Sequence, residues 1–421
     1  MILLFRAYVP IREEDLFSAL DVAKNTSFYL LEQAKENLSD FYKNNKDFLL
    51  KLFNYLNELK LRRVHFAARG RSLYQGARTL AERLMQLGYN SIYPNLEQFI
   101  VYDPSAHLVK GDVLIAISTS GETKTVVKKA KFARDVGGDV IAFTGNPNST
   151  LSRLATLPPL IVKPKINQEQ LIEKYNPKPF TPLGTTSEFT TLILMESIST
   201  GLKEMLYNNR EDVGALKKAI ATSKALLDNA QKNLETVFSN ECENLADFLS
   251  NLLLKYYSQQ TVHFCARGKT FNMAVGPFKM RLDQIPNAFV TSILDYEPLN
   301  RPVRKGQITI VVSGSGMAYS IAKRAKLNGS MIISFTSYEN ILWEISDVRI
   351  KVPGRRKIEI TNEHDADWDI RQWRGWTTEF APRGTTFEVT MAALLDGAFA
   401  GLASYIGITE NQMKYGHANI E

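Results

Sequence analysis

Short runs of aliphatic and β-branched residues alternate along this chain with longer stretches whose apolar residues recur every three or four positions. The first pattern predicts strands and the second amphipathic helices. Their alternation predicts βαβ units, in which a parallel sheet is covered by helices on both faces. Val113–Ser118 (Val-Leu-Ile-Ala-Ile-Ser) and Ile308–Ser313 (Ile-Thr-Ile-Val-Val-Ser) are almost continuously apolar, as strands buried on both sides must be. A Lys-Gly turn signal stands just before each. After the first, Thr125–Ala133 has helical spacing, and Gly137-Gly138 ends it ahead of a further strand at Val140–Phe143. Residues 11–60 and 211–258 are Leu-rich and periodic, which predicts a helical leader before each set of strands.

The pattern occurs twice. Val-His-Phe-Ala-Ala-Arg-Gly at Val64–Gly70 returns as Val-His-Phe-Cys-Ala-Arg-Gly at Val262–Gly268, 198 positions on. Ser118-Thr119-Ser120-Gly121 returns as Ser313-Gly314-Ser315-Gly316 after 195, and Pro182–Glu188 as Pro382–Glu388 after 200. Three signatures in one order at nearly one spacing predict an α/β chain of two homologous units, 1–205 and 206–421.

Composition narrows the function classes. With 44% hydrophobic and 23% charged residues, 421 residues suffice for a core in each unit, so a disordered chain is excluded. Apolar runs such as Leu157–Val162 fall short of the roughly 20 residues that cross a bilayer. The opening Met-Ile-Leu-Leu-Phe, followed at once by Arg6, does not read as a signal peptide, which places the expected site of action in the cytoplasm. Cys242 and Cys265, the two cysteines, have no zinc-ligand spacing. The net charge of +7 is spread along the chain without a basic block, which argues against nucleic acid and fits a small phosphorylated ligand.

Two loops can take such a ligand. Ser118, Thr119, Ser120 and Thr123 put four hydroxyls around Gly121 where a buried strand passes into a helix, so hydroxyls, loop N–H groups and the helix N-terminus can converge on one phosphate. N-capping is the competing reading. After the earlier strand, Gly70 permits a tight turn, Ser72 adds a hydroxyl, and Arg71 can pair with phosphate or steady an oxyanion. In the second unit the counterparts are Thr270, Ser313 and Ser315. There Ser-Gly-Met-Ala replaces Ser-Gly-Glu-Thr, which makes this loop the poorer cradle by sequence.

Gly70-Arg71-Ser72, the segment Ile117–Val127 and Asn146–Leu151 together resemble the sugar isomerase (SIS) domain. Within it the resemblance is nearest to the 6-phospho-3-hexuloisomerases, and the endings Ala381–Glu388 and Gly416–Glu421 share it. Those isomerases usually carry one such domain per chain, whereas this sequence has two. The resemblance implies a parallel α/β fold and isomerisation of a sugar phosphate without metal or other cofactor. It also implies assemblies of four SIS domains, which a homodimer of this chain would supply.

Moving a carbonyl along a sugar takes a base at carbon, an acid at oxygen and a partner for the enediolate. The resemblance makes Glu188 and Glu388 candidate bases, while the spacing Thr185-x-x-Glu188 and Thr385-x-x-Glu388 equally fits capping boxes. His417, in the terminal motif, is the candidate for ring opening or proton shuttling. His65 and His263 fall in predicted strands and read as packed; His107 reads as solvated. Trp368, Trp373 and Trp376 mark a segment that is either a lid or an insertion. The expected division of labour has the first unit bind phosphate while the second donates Glu388 or His417. Two other readings stay open: an aminosugar-phosphate isomerase or deaminase, as in the tandem isomerase half of glucosamine-6-phosphate synthase, and a non-catalytic sugar-phosphate sensor.

Overall fold

The computed structural model describes residues 11–59, 62–92, 94, 107–162, 173–208, 211–285, 290–294, 301–355, 357, 381 and 384–416. Two five-stranded sheets organise them. The first comprises β1 (Arg63–Ala67), β2 (Asn90–Ser91), β3 (Val113–Ile117), β4 (Asp139–Thr144) and β5 (Leu160–Ile161), in the order β2-β1-β3-β4-β5. The second comprises β6 (Thr261–Cys265), β7 (Val290–Ile293), β8 (Ile308–Val312), β9 (Met331–Thr336) and β10 (Val348–Lys351), in the order β10-β9-β8-β6-β7. Read from its other edge, the second order repeats the first, so the duplication in sequence is a duplication in topology. All pairings are parallel; Val64 lies beside Val113 in one sheet and Val262 beside Ile308 in the other.

The helices are α1 (Glu13–Asn44), α2 (Lys46–Glu58), α3 (Thr79–Gln86), α4 (Lys124–Asp135) and α5 (Thr185–Asn208) in the first half. The second half has α6 (Asp212–Asn240), α7 (Cys242–Ser258), α8 (Gly276–Asp283), α9 (Tyr319–Leu327) and α10 (Thr386–Ile406). Both leaders are therefore helical, as their periodicity predicts. Helices α3 and α8 are each entered through a π-helical turn, Ser72–Arg78 and Phe271–Val275. Such turns often mark functional positions, because one extra residue re-aims the side chains around it.

The halves are interleaved. Helix α1 from the start of the chain packs along α10 from its end. Two glycines make this approach possible: a Cβ at Gly397 would collide with Ala23 O and Ser27 Oγ, and one at Gly401 with Ala19 O. Ser27 Oγ donates across the contact to Ala393 O at 3.0 Å. Helix α10 is 21 residues long and, by length and composition, apolar enough to cross a membrane, yet 83% of its most apolar window is buried inside the protein. Glu388 and Asp396 interrupt its hydrophobic pattern, which is why the expectation of short apolar runs overlooked it.

Strand order reverses between β1 and β3, and between β6 and β8, which opens a crevice at the carboxyl ends of these parallel strands. Open parallel sheets bind ligands at that place. The loops after β1 and β3, and after β6 and β8, carry the two sets of hydroxyl-rich motifs.

Candidate functional site

At the second sheet the crevice is a small, partly open cleft. Its wall is built from the turn after β6 (Arg267, Lys269, Thr270), the turn after β8 (Ser313, Gly314, Ser315) and Arg355 beyond β10. Glu82 and Gln86, from α3 of the first half, complete it. The turn after β8 is shaped by Gly316, at φ +79°, whose N–H donates to Ser313 O at 3.1 Å. Gly314 lets Arg355 lie over this turn, since a Cβ there would stand 2.6 Å from Arg355 Cγ. The lining thus brings hydroxyl-bearing and basic residues around one small volume, a composition suited to a phosphate.

Glu388 sits behind this wall, fully buried. Its Oε1 pairs with the Arg355 guanidinium and accepts from Thr270 Oγ1 at 3.0 Å. It is therefore neither an exposed base nor a cap; it fixes two groups that touch the cleft. Thr385 does not cap α10 with its side chain. Instead its Oγ1 donates to Glu196 Oε2 at 2.8 Å and accepts from Arg83 Nη2 at 2.8 Å. Arg83 Nε and Nη2 in turn grip Glu196 at 2.9 and 2.7 Å, both residues wholly buried.

The first half repeats this arrangement with the roles exchanged. Arg281, the repeat counterpart of Arg83, donates to Pro182 O at 2.9 Å and Thr185 Oγ1 at 2.8 Å. The arginine of each half thus reaches the Gly-Thr-Thr turn of the other. Glu188 Oε2 lies 3.0 Å from Arg71 Nε and 3.3 Å from Arg281 Nη2, so this glutamate, like Glu388, forms ion pairs and closes no capping box. Arg71 corrects a sequence expectation. Its Nη1 and Nη2 are held by Asp396 at 2.6 and 2.7 Å, and at 2% exposure it is an internal strut between the halves, not a free phosphate ligand.

The hydroxyl loop after β3 is folded on itself. Ser118 Oγ meets Thr123 Oγ1 at 3.0 Å and Ser120 Oγ at 3.5 Å, and accepts from Gly121 N at 3.1 Å. Glu122 turns outward, accepting from Thr150 N at 2.8 Å. Thr119 is exposed and Ser72 half-buried at the start of its π-helical turn. The sequence ranked the second loop as the poorer cradle; the cleft forms around it nevertheless, because its cations come from Lys269, Arg267 and Arg355 outside the loop. His417 and Trp368, Trp373 and Trp376 lie outside the described residues. His65 Nε2 contacts Asp112 Oδ2 at 3.0 Å and His263 Nε2 contacts Gln307 Oε1 at 2.9 Å, both within the sheets, and His107 is exposed.

Electrostatics single out two cleft residues that the motif search missed. Burial, aided by Arg83, pulls the Lys269 ammonium down to about 7, against the opposing pull of Glu388 and Glu196 and with Arg355 adding to the fall. Lys269 Nζ donates to Gly384 O and, at 3.4 Å, to Thr385 Oγ1. Burial pushes the Glu82 carboxyl up, with Lys269 and Arg83 opposing and Glu196 reinforcing. Aligning the repeats would have flagged both: Lys269 stands where the first half has Arg71, and Glu82 where the second has Met280.

This fold defines a doubly wound α/β protein with a cleft at a strand-order reversal, the place where open parallel sheets bind their ligands. A family profile for the SIS domain matches residues 59–169. The chain is 32% identical over 146 residues to the 3-hexulose-6-phosphate isomerase of Bacillus subtilis, 35% of this chain and 73% of that protein. It is 28% identical over 194 residues to the 3-hexulose-6-phosphate isomerase of Methanocaldococcus jannaschii, 46% of this chain and 92% of that one. Among solved structures, tagatose-6-phosphate ketose/aldose isomerase from Escherichia coli shares the fold with a TM-score of 0.55 at 13% identity, covering 92% of this chain and 95% of that one. The chain belongs to the SIS-domain family of phosphosugar isomerases, near the 6-phospho-3-hexuloisomerases, with two SIS-type sheets in one polypeptide.

Proposed function

We propose that the chain isomerises a sugar phosphate through an enediolate, with 3-hexulose 6-phosphate and fructose 6-phosphate, or a closely related pair, as its substrates. The cleft at the second sheet carries this reading: a glycine-shaped hydroxyl turn lines one small volume with Lys269, Arg267 and Arg355. Ser313 and Ser315 hold the phosphate, together with the N–H groups of their turn. Arg355, kept in place by Glu388, stands where negative charge develops on the sugar oxygens, and a fixed cation there stabilises the transition state more than the ground state. The 3-hexulose-6-phosphate isomerases among its relatives support the choice of sugar. A homodimer, which would bring together four SIS units, is part of the same proposal.

The test is proton NMR of fructose 6-phosphate with the protein in D2O. Solvent deuterium entering C3, with appearance of the 3-keto isomer, is the expected result. Exchange at C1 alone would assign an aldose–ketose isomerase instead. Saturable binding with no exchange at any carbon would refute catalysis and identify a sensor.

A further inference from the structure

The two halves differ where chemistry near neutral pH is decided. At the cleft of the second sheet the residue after the first turn glycine is Lys269; its counterpart in the first half is Arg71, a guanidinium that does not titrate in proteins. The group reaching in from the opposite half is Glu82; its counterpart is Met280, whose thioether carries no proton. Met280 occupies the equivalent place, its Cε 3.8 Å from where a Cβ on Gly70 would be. Both titratable members of this exchange therefore belong to one site. Lys269 and Glu82 line the same cleft, and Glu82 Oε2 accepts from Asn272 Nδ2 of the second half at 3.4 Å.

We propose that Glu82, donated by the first half, is the residue that moves the carbon-bound proton at the second-half cleft, with Lys269 serving the sugar oxygens, so that each chain has a single catalytic site of this kind. The proposal rests on the isomerase reading above. Glu82 as carboxylate takes the proton from the carbon beside the carbonyl; the C–H electron pair becomes the enediolate double bond while the Lys269 ammonium protonates the carbonyl oxygen. The neighbouring hydroxyl then returns its proton to Lys269, its carbon becomes the new carbonyl, and Glu82 delivers its proton to the former carbonyl carbon. Both residues end as they began, and no oxidant or reductant is consumed. Burial raises the Glu82 carboxyl and lowers the Lys269 ammonium, which moves the two groups towards one another as a proton-transferring pair requires. The charged groups facing Glu82 are Lys269, Arg83 and Glu196; Arg83, Glu388, Glu196 and Arg355 face Lys269.

The experiment measures turnover, its pH profile and calorimetric binding of fructose 6-phosphate for the full chain and for Glu82→Gln, Glu82→Met and Glu82→Asp. Met is the residue the fold already accepts at the counterpart position, so Glu82→Met controls for folding. Gln and Met are expected to lower kcat by about 100-fold or more, a typical general-base contribution. Binding should stay within about threefold, and the acidic limb of the profile should vanish. Asp should keep measurable turnover with that limb shifted. Gln or Met variants that retain kcat within about threefold with an unchanged acidic limb would overturn the role of Glu82 and leave the isomerase reading standing. Loss of binding together with turnover would overturn it too, in favour of a substrate-holding role. Wild-type protein that exchanges no proton on any phosphosugar would overturn both readings.

Discussion

Lys269 offers the sharpest test of the electrostatics, because its removal should stabilise the protein. Its ammonium is buried beside Arg83 and Arg355, and its folded value of about 7 stands against an ordinary 10.5. Linkage converts this gap, at 1.36 kcal/mol per unit, into a penalty of roughly 4–5 kcal/mol at or below neutral pH. The sign follows from proton counting: between about 7 and 10.5 the unfolded chain binds more protons than the folded one, so this group makes stability rise with pH across that window. Against the penalty stands the loss of the hydrogen bonds to Gly384 O and Thr385 Oγ1, together about 2–3 kcal/mol with the buried carbonyl left unpaired. Lys269→Met should therefore be more stable than wild type at pH 7 by about 1–3 kcal/mol while losing turnover, the trade expected where a site stores strain. Urea unfolding at pH 7 and pH 9.5 is the assay, and the advantage of the variant should shrink or reverse at the higher pH. A variant less stable by about 1 kcal/mol at both values would show that Lys269 is held without electrostatic cost, and would refute the reasoning.

Glu196→Gln leaves Arg83 buried without its counter-charge and should cost about 3–5 kcal/mol in urea unfolding. Burial alone would raise Glu196, but Arg83, Lys269 and Thr385 hold it below the usual carboxylate range; its stabilisation is full above the unfolded value of 4.5 and is lost as pH falls through the lower folded one, which acid titration of wild type against the variant will show. Gly397→Ala forces a methyl against Ala23 O and should destabilise by about 1–3 kcal/mol despite the better helix propensity of alanine, seen as a lower Tm. Ser315→Ala should raise KM for the phosphosugar about tenfold with kcat nearly unchanged, whereas Ser118→Ala should alter neither by more than about twofold.

Periodicity and repetition made the fold legible. Val113–Ser118 and Ile308–Ser313 became the central β3 and β8, the leaders became long helices, and the loops with Ser118 and Ser313 fell at the carboxyl edge of each sheet. Assigning roles required knowing what crosses between the halves. Arg71 sits in a motif that reads as a phosphate grip, and only the fold brings Asp396, far along the chain, onto its guanidinium. Thr385-x-x-Glu388 fits a capping box in every residue type, yet Arg355 and Arg83 outcompete the helix N-terminus for both side chains. Glu82 lies in an ordinary amphipathic helix, and nothing local marks it. Its significance shows only when the repeat supplies Met280 for comparison and the structure turns it towards the opposite sheet.

The clasp of α1 by α10 has a consequence for synthesis. Residues 13–44 are made long before residues 386–406, which supply part of the surface that covers them. The stripe of α1 at Ala19, Ala23 and Ser27 must wait for α10 while α5 and α6 cover other parts of the helix, a long-range pairing of the kind that folds slowly. Cutting the gene at the repeat boundary would deprive each product of a helix the other half supplies.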